Sequence, residues 1–520
     1  MYGVLSLSLV SIISRIFSAL TTILLARFLG PDNYGLWGLT MSSIGLFSLV
    51  ASIPGIGSAV IKFISQYDAE GKTDLVRKIT IIGLEVKTIL GLVLGASAFI
   101  LAPFIAENLL GEPSLTTLIR ISVIYYIAIN VGFVTAVFKG LSKFHIVALF
   151  TLLERILFFL FTALVLLSGL GLIGVVIGNV ATYVTLTAVA LVVVFTKYVP
   201  RPKHSSSENN GTGLLKRMLV YGVPASLGDL IRNFYSNFIT LYLGIWIGAT
   251  SVGLLGAARS ALAFLFITPM SFVSTVLFPL ASGMHSKKKI EDLRRFLSLI
   301  SKYTLFFTCY LITFTYFYAS ELTALIYGTE FEASVFYLQI LIFLPIATVW
   351  TSLAGNVLLG AGYSKLTLKL SAIYVISGTA LALLIVPAFG VIGICLLLVF
   401  LEMFIALPLY VIYAKRIVGN FLDPRAYVKG IPPILVSLAL MLCIKSLFTF
   451  QLSNWIQSAI LLIGILCLGL LVFSVILCLT GAVKKTEISS LSEILSTSPV
   501  ASLMKPLTFL LSLLSKFARS

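Results

Sequence analysis

The amino-acid sequence predicts an all-α polytopic membrane protein of about fourteen transmembrane helices, arranged as two parallel six-helix repeats plus two extra C-terminal helices. Composition is the first reason: 59% of the 520 residues are hydrophobic, 11% are charged, and mean hydropathy is +1.10. Helix-length apolar segments and an internal repeat are the other two. A chain of soluble domains is excluded, because too few polar side chains exist to cover their surfaces.

The predicted spans follow from the apolar segments. A spanning helix needs about 20 predominantly apolar residues, set by a hydrocarbon core about 30 Å thick. Segments of suitable length occur at 3–26, 36–60, 79–104, 116–138, 145–168, 173–196, 218–247, 251–281, 297–320, 333–359, 366–388, 391–414, 430–449 and 456–480.

Basic residues predict the orientation of these spans. The net charge is +17, and most of the 36 Lys and Arg residues lie in the tail or in connections after even-numbered spans, as do Lys197, Lys288 and Arg416. Opposite connections carry acids such as Glu107 and Glu321. Since basic loops stay cytoplasmic, both termini are expected inside a multi-pass protein of the plasma membrane. This placement indicates the lipid bilayer, not nucleic acid, as the partner of the positive charge.

An internal repeat predicts the domain organisation. Glycines after span 1 recur with the same spacing after span 7, as Gly30, Gly35 and Gly38 against Gly248, Gly253 and Gly256. Six spans per copy make the copies parallel. The predicted parts are an N-terminal lobe at 1–200, a C-terminal lobe at 214–416, two helices at 428–480, and a cytoplasmic linker with an interfacial amphipathic helix at 484–520.

Parallel repeats are typical of transporters that hold their substrate near the bilayer midplane and expose it alternately to each side. Span 1 places Ser11, Arg15 and Ser18 on one helical face, with Arg15 near the middle of the bilayer. A charge there costs at least about 2.5 to 3.5 kcal/mol, so it should face a partner or a water-filled cavity.

The equivalent face of span 7 carries Asp229, Arg232, Asn233 and Asn237. Asp229 and Arg232 are three residues apart, so a mutual intrahelical pair is an alternative to a functional role.

Four further charged residues lie deep in predicted spans: Glu154, Arg155, Arg259 and Glu402. Glu154 and Arg155 are adjacent and are expected to be poor partners for each other, because neighbours on a helix point about 100° apart. The planar guanidinium of Arg suits phosphate and pyrophosphate, which makes Arg15, Arg155, Arg232 and Arg259 candidate substrate ligands. Asp229, Glu154 and Glu402 are candidates for binding a proton or coupling ion.

Prolines interrupt several spans, at Pro54 beside Gly55 and at Pro224, Pro269, Pro345 and Pro408. They could be bending points for alternating access or static kinks. No catalytic residue, metal site or cofactor is predicted, and the five cysteines are interpreted as packing residues.

The segment from Leu24 to Gly38, the basic turn Lys139 to Lys143 and the fourteen-span layout resemble prokaryotic polysaccharide flippases. These belong to the multidrug/oligosaccharidyl-lipid/polysaccharide (MOP) exporter superfamily. The resemblance implies two six-helix lobes around a central cavity and movement of a polyprenyl-linked saccharide to the outer leaflet, alongside other polysaccharide assembly proteins. It also implies that Arg15 contacts the lipid-linked phosphate. Asp229 falls where relatives hold a coupling cation, but span 11 offers Ser371, Tyr374 and Ser377 without an acid or Asn.

Three functions remain as alternatives. The first is a lipid-linked oligosaccharide flippase for surface polysaccharide or glycoconjugate synthesis, driven by an H⁺ or Na⁺ gradient or the membrane potential. The second is a multidrug or cation antiporter of the same superfamily, which usually has twelve spans. The third is a membrane glycan polymerase or ligase, which needs a sizeable outer loop for catalysis. A protein that is not an enzyme is expected.

Overall fold

The structure is a computed structural model that describes residues 2–128, 130–199, 211–267, 284, 289–447 and 455–483. Within these ranges every regular element is helical and no strand occurs. The predicted linker and amphipathic helix at 484–520 lie outside the described residues. The all-α fold expected from the sequence is confirmed.

The described α-helices follow one another along the chain, several of them separated by a short π-helical or 3₁₀ turn. The first nine are α1 (Tyr2–Ser52), α2 (Ile56–Ala69), α3 (Thr73–Pro103), α4 (Ser114–Ala128), α5 (Asn130–Gly140), α6 (Phe144–Leu167), α7 (Gly171–Val193), α8 (Gly211–Ile247) and α9 (Ala249–Leu262). The next nine are α10 (Ile290–Phe317), α11 (Ala319–Tyr327), α12 (Ala333–Leu341), α13 (Leu344–Gly360), α14 (Ser364–Phe400), α15 (Leu407–Val418), α16 (Pro424–Lys429), α17 (Ile431–Leu447) and α18 (Trp455–Leu479).

These helices cover most of the predicted spans. Among the described residues, nine helices are long and apolar enough to cross a membrane, or ten if the bent pair α12 and α13 forms one span. Two of the nine, Ile13–Ser52 and Ser364–Val418, each overlap two predicted spans. Both bend at a glycine with positive φ, 70° at Gly30 and 58° at Gly390, where the sequence places a connection. The chain is therefore a multi-pass membrane protein.

The prolines that were predicted to interrupt spans break some helices and leave others continuous. At Pro54 the span breaks: α1 ends at Ser52, and α2 begins after Gly55, whose φ is 59°. The Lys87 ammonium donates to the Ala51 carbonyl at 3.0 Å, so a carbonyl near this break keeps a partner.

Of the other prolines, Pro345 lies in the first turn of α13, after a bend of 42° from α12. Pro408 opens α15 after the π-helical turn Leu401–Ala406. Pro224 lies inside α8, which is continuous, and Pro269 falls outside the described residues.

By contacts the chain forms two compact units. The first contains the described residues of Ser6–Gly256 and Ala382–Val391, and the second contains the described residues of Met1–Leu5, Ala257–Leu381 and Ile392–Ser520. The first unit has a core around Ile64 and Phe138, and the second has a core around Leu297 and Leu353. The predicted lobe boundary near residues 200–214 rests on sequence repetition, whereas these units reflect packing, so the boundary stays a prediction.

Within the first unit, the two repeated glycine segments pack directly on each other. We call the contact between Pro31–Gly38 and Ala249–Gly256 the twin-turn contact. A Cβ atom on Gly35 would overlap the Ala249 carbonyl oxygen, and a Cβ atom on Gly253 would overlap that of Pro31. The two contacts are equivalent under the repeat, because Ala249 corresponds to Pro31 and Gly253 corresponds to Gly35.

The outer parts of the twin-turn contact repeat this symmetry. A Cβ atom on Gly38 would lie 3.2 Å from Val252, and one on Gly256 would lie 3.4 Å from Tyr34. The Thr250 hydroxyl also donates to the Asp32 carboxylate. The repeated glycines thus serve close packing between equivalent turns.

The packing makes a prediction for two helical glycines. Gly35→Ala should destabilise the protein by on the order of 1–3 kcal/mol, because the added methyl group overpacks the twin-turn contact. Gly464→Ala in α18 is the matched control, since nothing lies within 4 Å of its Cβ position. Thermal unfolding in detergent should show a lower midpoint for the first variant only. Equal midpoints for both variants would contradict the packing.

Candidate functional site

A cavity of about 380 Å³ lies in the first unit between α1 and α6. One face of each helix forms its walls. The lining residues of each helix lie mostly three or four positions apart, a spacing that brings side chains onto a common face. The lining consists of Val10, Ser14, Arg15 and Ser18 from α1 and Ala148, Thr151 and Arg155 from α6. The structure therefore brings together three predicted residues, Arg15, Ser18 and Arg155.

Two guanidinium groups dominate the chemistry of this cavity. The Ser14 hydroxyl donates to the Val10 carbonyl at 2.7 Å, and the Thr151 hydroxyl donates to the Val147 carbonyl at 2.9 Å. Because these two hydroxyl protons are engaged by the backbone, Arg15 and Arg155 are the main hydrogen-bond donors for a ligand. No acid belongs to the described lining. Two cationic forks in one cavity fit an oxyanion such as a phosphate or diphosphate.

Beside this cavity, Arg155 shares a carboxylate with a tyrosine. Arg155 Nη2 lies 3.6 Å from Glu154 Oε1, and the Tyr183 hydroxyl donates to the same oxygen at 3.1 Å. Tyr125 contacts Tyr183 edge to face, with ring centroids 4.6 Å apart. Glu154 and Arg155, which were expected to be poor partners, form a long ion pair at 3.6 Å, because the long Arg side chain reaches back to its neighbour while still lining the cavity.

The predicted face of α8 is arranged differently. Arg232 and Asn233 are exposed, and the Asn237 amide donates to the Asn233 carbonyl at 2.9 Å. Asn237 also packs against Gly45 of α1. None of these three residues belongs to the described lining of the Arg15 cavity. The side chains of Ser11 and Asp229 are not among those that the structure describes.

The remaining predicted residues lie in the second unit. Glu402 occupies the π-helical turn before α15 and accepts a hydrogen bond from the Thr351 hydroxyl at 2.9 Å. Arg259 of α9 lies near Cys395 of α14. Among the described residues, no cluster of three or more His, Cys, Asp or Glu could hold a metal ion.

Sequence reasoning missed three residues of this site. Thr151 had a usable signal, because it precedes Arg155 by four residues and so shares its helical face. Ser14 is adjacent to Arg15, off the polar stripe that the spacing defines. Tyr183 had no signal, since a single tyrosine within an apolar span has no spacing relation to Glu154 on another helix.

Comparison with known proteins places the chain among similar sequences. A family model described as "Polysaccharide biosynthesis protein" matches residues 1–285. The uncharacterized membrane protein MJ1068 of Methanocaldococcus jannaschii is 22% identical over 384 residues, which cover 70% of this chain and 74% of that protein. Stage V sporulation protein B of Bacillus subtilis is 21% identical over 352 residues, covering 64% and 68%.

Solved structures share the fold at low identity. The lipid II flippase MurJ in an inward closed conformation superposes with a TM-score of 0.69 at 16% identity, covering 90% of this chain and 98% of that one. An inward-facing multidrug resistance MATE family transporter of the MOP superfamily gives 0.66 at 15% identity, covering 78% and 95%. The chain therefore shares the fold of both transporters.

The cavity predicts anion binding that depends on both arginines. A hydrogen bond to a charged group contributes about 1.5–3 kcal/mol, so Arg15→Ala and Arg155→Ala should each weaken pyrophosphate binding about ten- to a hundredfold. Arg120→Ala is the control, because that guanidinium lies 5.0 Å from the Phe99 ring centre and outside the described lining. Isothermal titration of the detergent-solubilised protein measures the three affinities. Unchanged binding in both cavity variants would exclude this anion site.

Proposed function

Because the chain belongs to the polysaccharide biosynthesis protein family and has the MOP superfamily fold, we propose that it is a flippase for a polyprenyl-linked oligosaccharide. It moves the saccharide from the cytoplasmic to the outer leaflet of the plasma membrane for synthesis of a surface polysaccharide or glycoconjugate. The observation that carries this proposal is the pair of guanidinium groups, Arg15 and Arg155, in one cavity of a membrane protein.

The two arginines match the charged part of such a substrate. The linkage between polyprenyl chain and sugar is a phosphate or diphosphate, which must cross the apolar core together with the saccharide. Charge in that core costs several kcal/mol when unpaired. Two guanidinium forks offset this cost by bidentate hydrogen bonds, which a Lys ammonium makes less well.

The twin-turn contact supplies the closed side of an alternating-access cycle. It lies between spans 1 and 2 and between spans 7 and 8, opposite the connections rich in Lys and Arg. By the distribution of positive charge this is the outer side, with both termini in the cytoplasm. The contact closes the outer side while the saccharide is loaded, and it must separate for release.

The antiporter alternative is supported by the shared fold with a MATE transporter. Multidrug substrates are commonly cations, and two guanidinium groups in the cavity oppose cation binding by charge repulsion. The helices α17 and α18, beyond the two six-span repeats, also favour the flippase. We assign no catalytic residue to the chain.

Translocation should depend on the geometry of Arg15 as well as its charge. Arg15→Ala should abolish movement of a fluorescent polyprenyl-diphosphate oligosaccharide in proteoliposomes, because the diphosphate loses a cationic partner. Arg15→Lys keeps the charge without the planar fork and should retain intermediate transport. Accessibility of the glycan to an added lectin scores the reaction. Wild-type rates from a folded Arg15→Ala variant would refute the proposed site.

Locking the twin-turn contact should stop transport. In a protein whose five native cysteines are replaced, oxidation of the double variant Asp32→Cys, Thr250→Cys should join the two turns, because the native side chains are hydrogen-bonded. Transport should cease on oxidation and return on reduction. Each single variant, treated in the same way, is the control. Full transport by quantitatively cross-linked protein would contradict the proposed role of the contact.

A further inference from the structure

We infer that Glu154 binds a proton when the cavity binds its diphosphate, because the Glu154 carboxylate and the diphosphate compete for Arg155. This inference rests on the proposed function and adds a coupling residue to the same site. The proton comes from water and is held on the Glu154 carboxyl group. No covalent step is involved.

The geometry gives Arg155 two alternative partners. Its guanidinium lines the cavity, yet its Nη2 atom lies 3.6 Å from Glu154 Oε1. That distance is longer than a charge-assisted hydrogen bond of about 2.7–2.9 Å, so the pair is loose. The Arg155 side chain is 42% exposed and that of Glu154 is 22% exposed. An anion in the cavity can therefore take the guanidinium without disrupting a closely packed pair.

The surroundings of Glu154 leave it sensitive to this exchange. The titratable groups that contact Glu154 or interact with it electrostatically are Arg155 on α6, Tyr183 on α7 and Tyr125 on α4, and Arg15 on α1 lines the adjoining cavity. Both tyrosines are neutral acids at physiological pH, and the Tyr183 hydroxyl stabilises the carboxylate by one hydrogen bond of 3.1 Å. The carboxylate thus depends on arginine for its opposite charge.

Two states follow from this arrangement. With Glu154 ionised, Arg155 is shared with the carboxylate, which also repels an incoming anion. With Glu154 protonated, the ion pair is lost, the repulsion disappears, and Arg155 is available to the diphosphate. Both effects have the same sign, so diphosphate affinity rises as pH falls through the titration of Glu154. By linkage, diphosphate binding must then increase proton uptake by the same factor.

The test measures affinity for a short-chain polyprenyl-diphosphate sugar as the pH is lowered from 8 to 4. A disubstituted diphosphate keeps its two charges across this range, so pH dependence reports the protein. Wild-type affinity should rise about tenfold toward low pH, while Glu154→Gln should bind tightly and without pH dependence. Glu107→Gln should behave as wild type, because that carboxylate lies in the π-helical turn Phe104–Leu109 after α3 and outside the described lining of the cavity.

Two further measurements test the inference even if Glu154→Gln does not fold. Calorimetry of the wild type in buffers of different ionisation enthalpy should detect proton uptake on binding. Tyr183→Phe should move the affinity transition to higher pH, because the carboxylate loses a hydrogen-bond donor. Wild-type affinity that is independent of pH, with no proton uptake, would overturn the inference.

The possible results distinguish a failure of this inference from a failure of the proposed flippase function. Binding that requires Arg15 but ignores pH would refute the role of Glu154 and leave the flippase proposal standing. No binding of the diphosphate at any pH would refute both.

Discussion

Close approach of backbones at the twin-turn contact and along α8 is the constraint on which the first unit depends. In a membrane there is little hydrophobic drive for helices to associate, so small residues that admit close packing decide which helices pair. The Gly35 and Gly253 turns interlock in this way. Nearer the N-terminal end of α8, Gly222 contacts the backbone of Gly55, and the Ser226 hydroxyl donates to the Ile53 carbonyl at 3.2 Å. These contacts hold α8 against α1 and α2, although α8 belongs to the second sequence repeat.

The same constraint explains how one helix combines a fixed end with a functional face. The Gly30 end of the first span in α1 is fixed by the kink at Gly30 and by the twin-turn contact. Its other half runs beside α6, where Arg15 and Arg155 share a cavity. Rigid anchoring at one end of the span keeps Arg15 in a fixed position relative to Arg155. This position matters because bidentate anion binding is sensitive to small displacements. The break at Gly55 supplies a place where the neighbouring span can bend.

Much of this architecture could be predicted from the sequence. Hydropathy located the spans because the bilayer imposes a length and a polarity on each helix. The glycine repeat identified equivalent turns after spans 1 and 7, whereas the packing of these two turns on each other emerged only from the structure. The charged residues within spans were easy to list, because each is costly in an apolar core.

What the sequence could not predict is which helices share a cavity. The equivalence of α1 and α8 suggested that Arg15 and Arg232 act together, whereas the described cavity joins α1 to α6 and contains Arg155. Helical periodicity gives the face of a residue but not the helix opposite it. The pairing of Glu154 with Arg155 was missed for a related reason: spacing rules describe Cβ directions, and an arginine side chain is long enough to depart from them.

The most direct test of this account is an electron cryomicroscopy structure of the protein with a bound polyprenyl-diphosphate oligosaccharide. The account predicts diphosphate density within hydrogen-bonding distance of both Arg15 and Arg155, with Arg155 turned away from Glu154. Diphosphate density on the polar face of α8, at Arg232 and Asn233 and remote from Arg155, would contradict it.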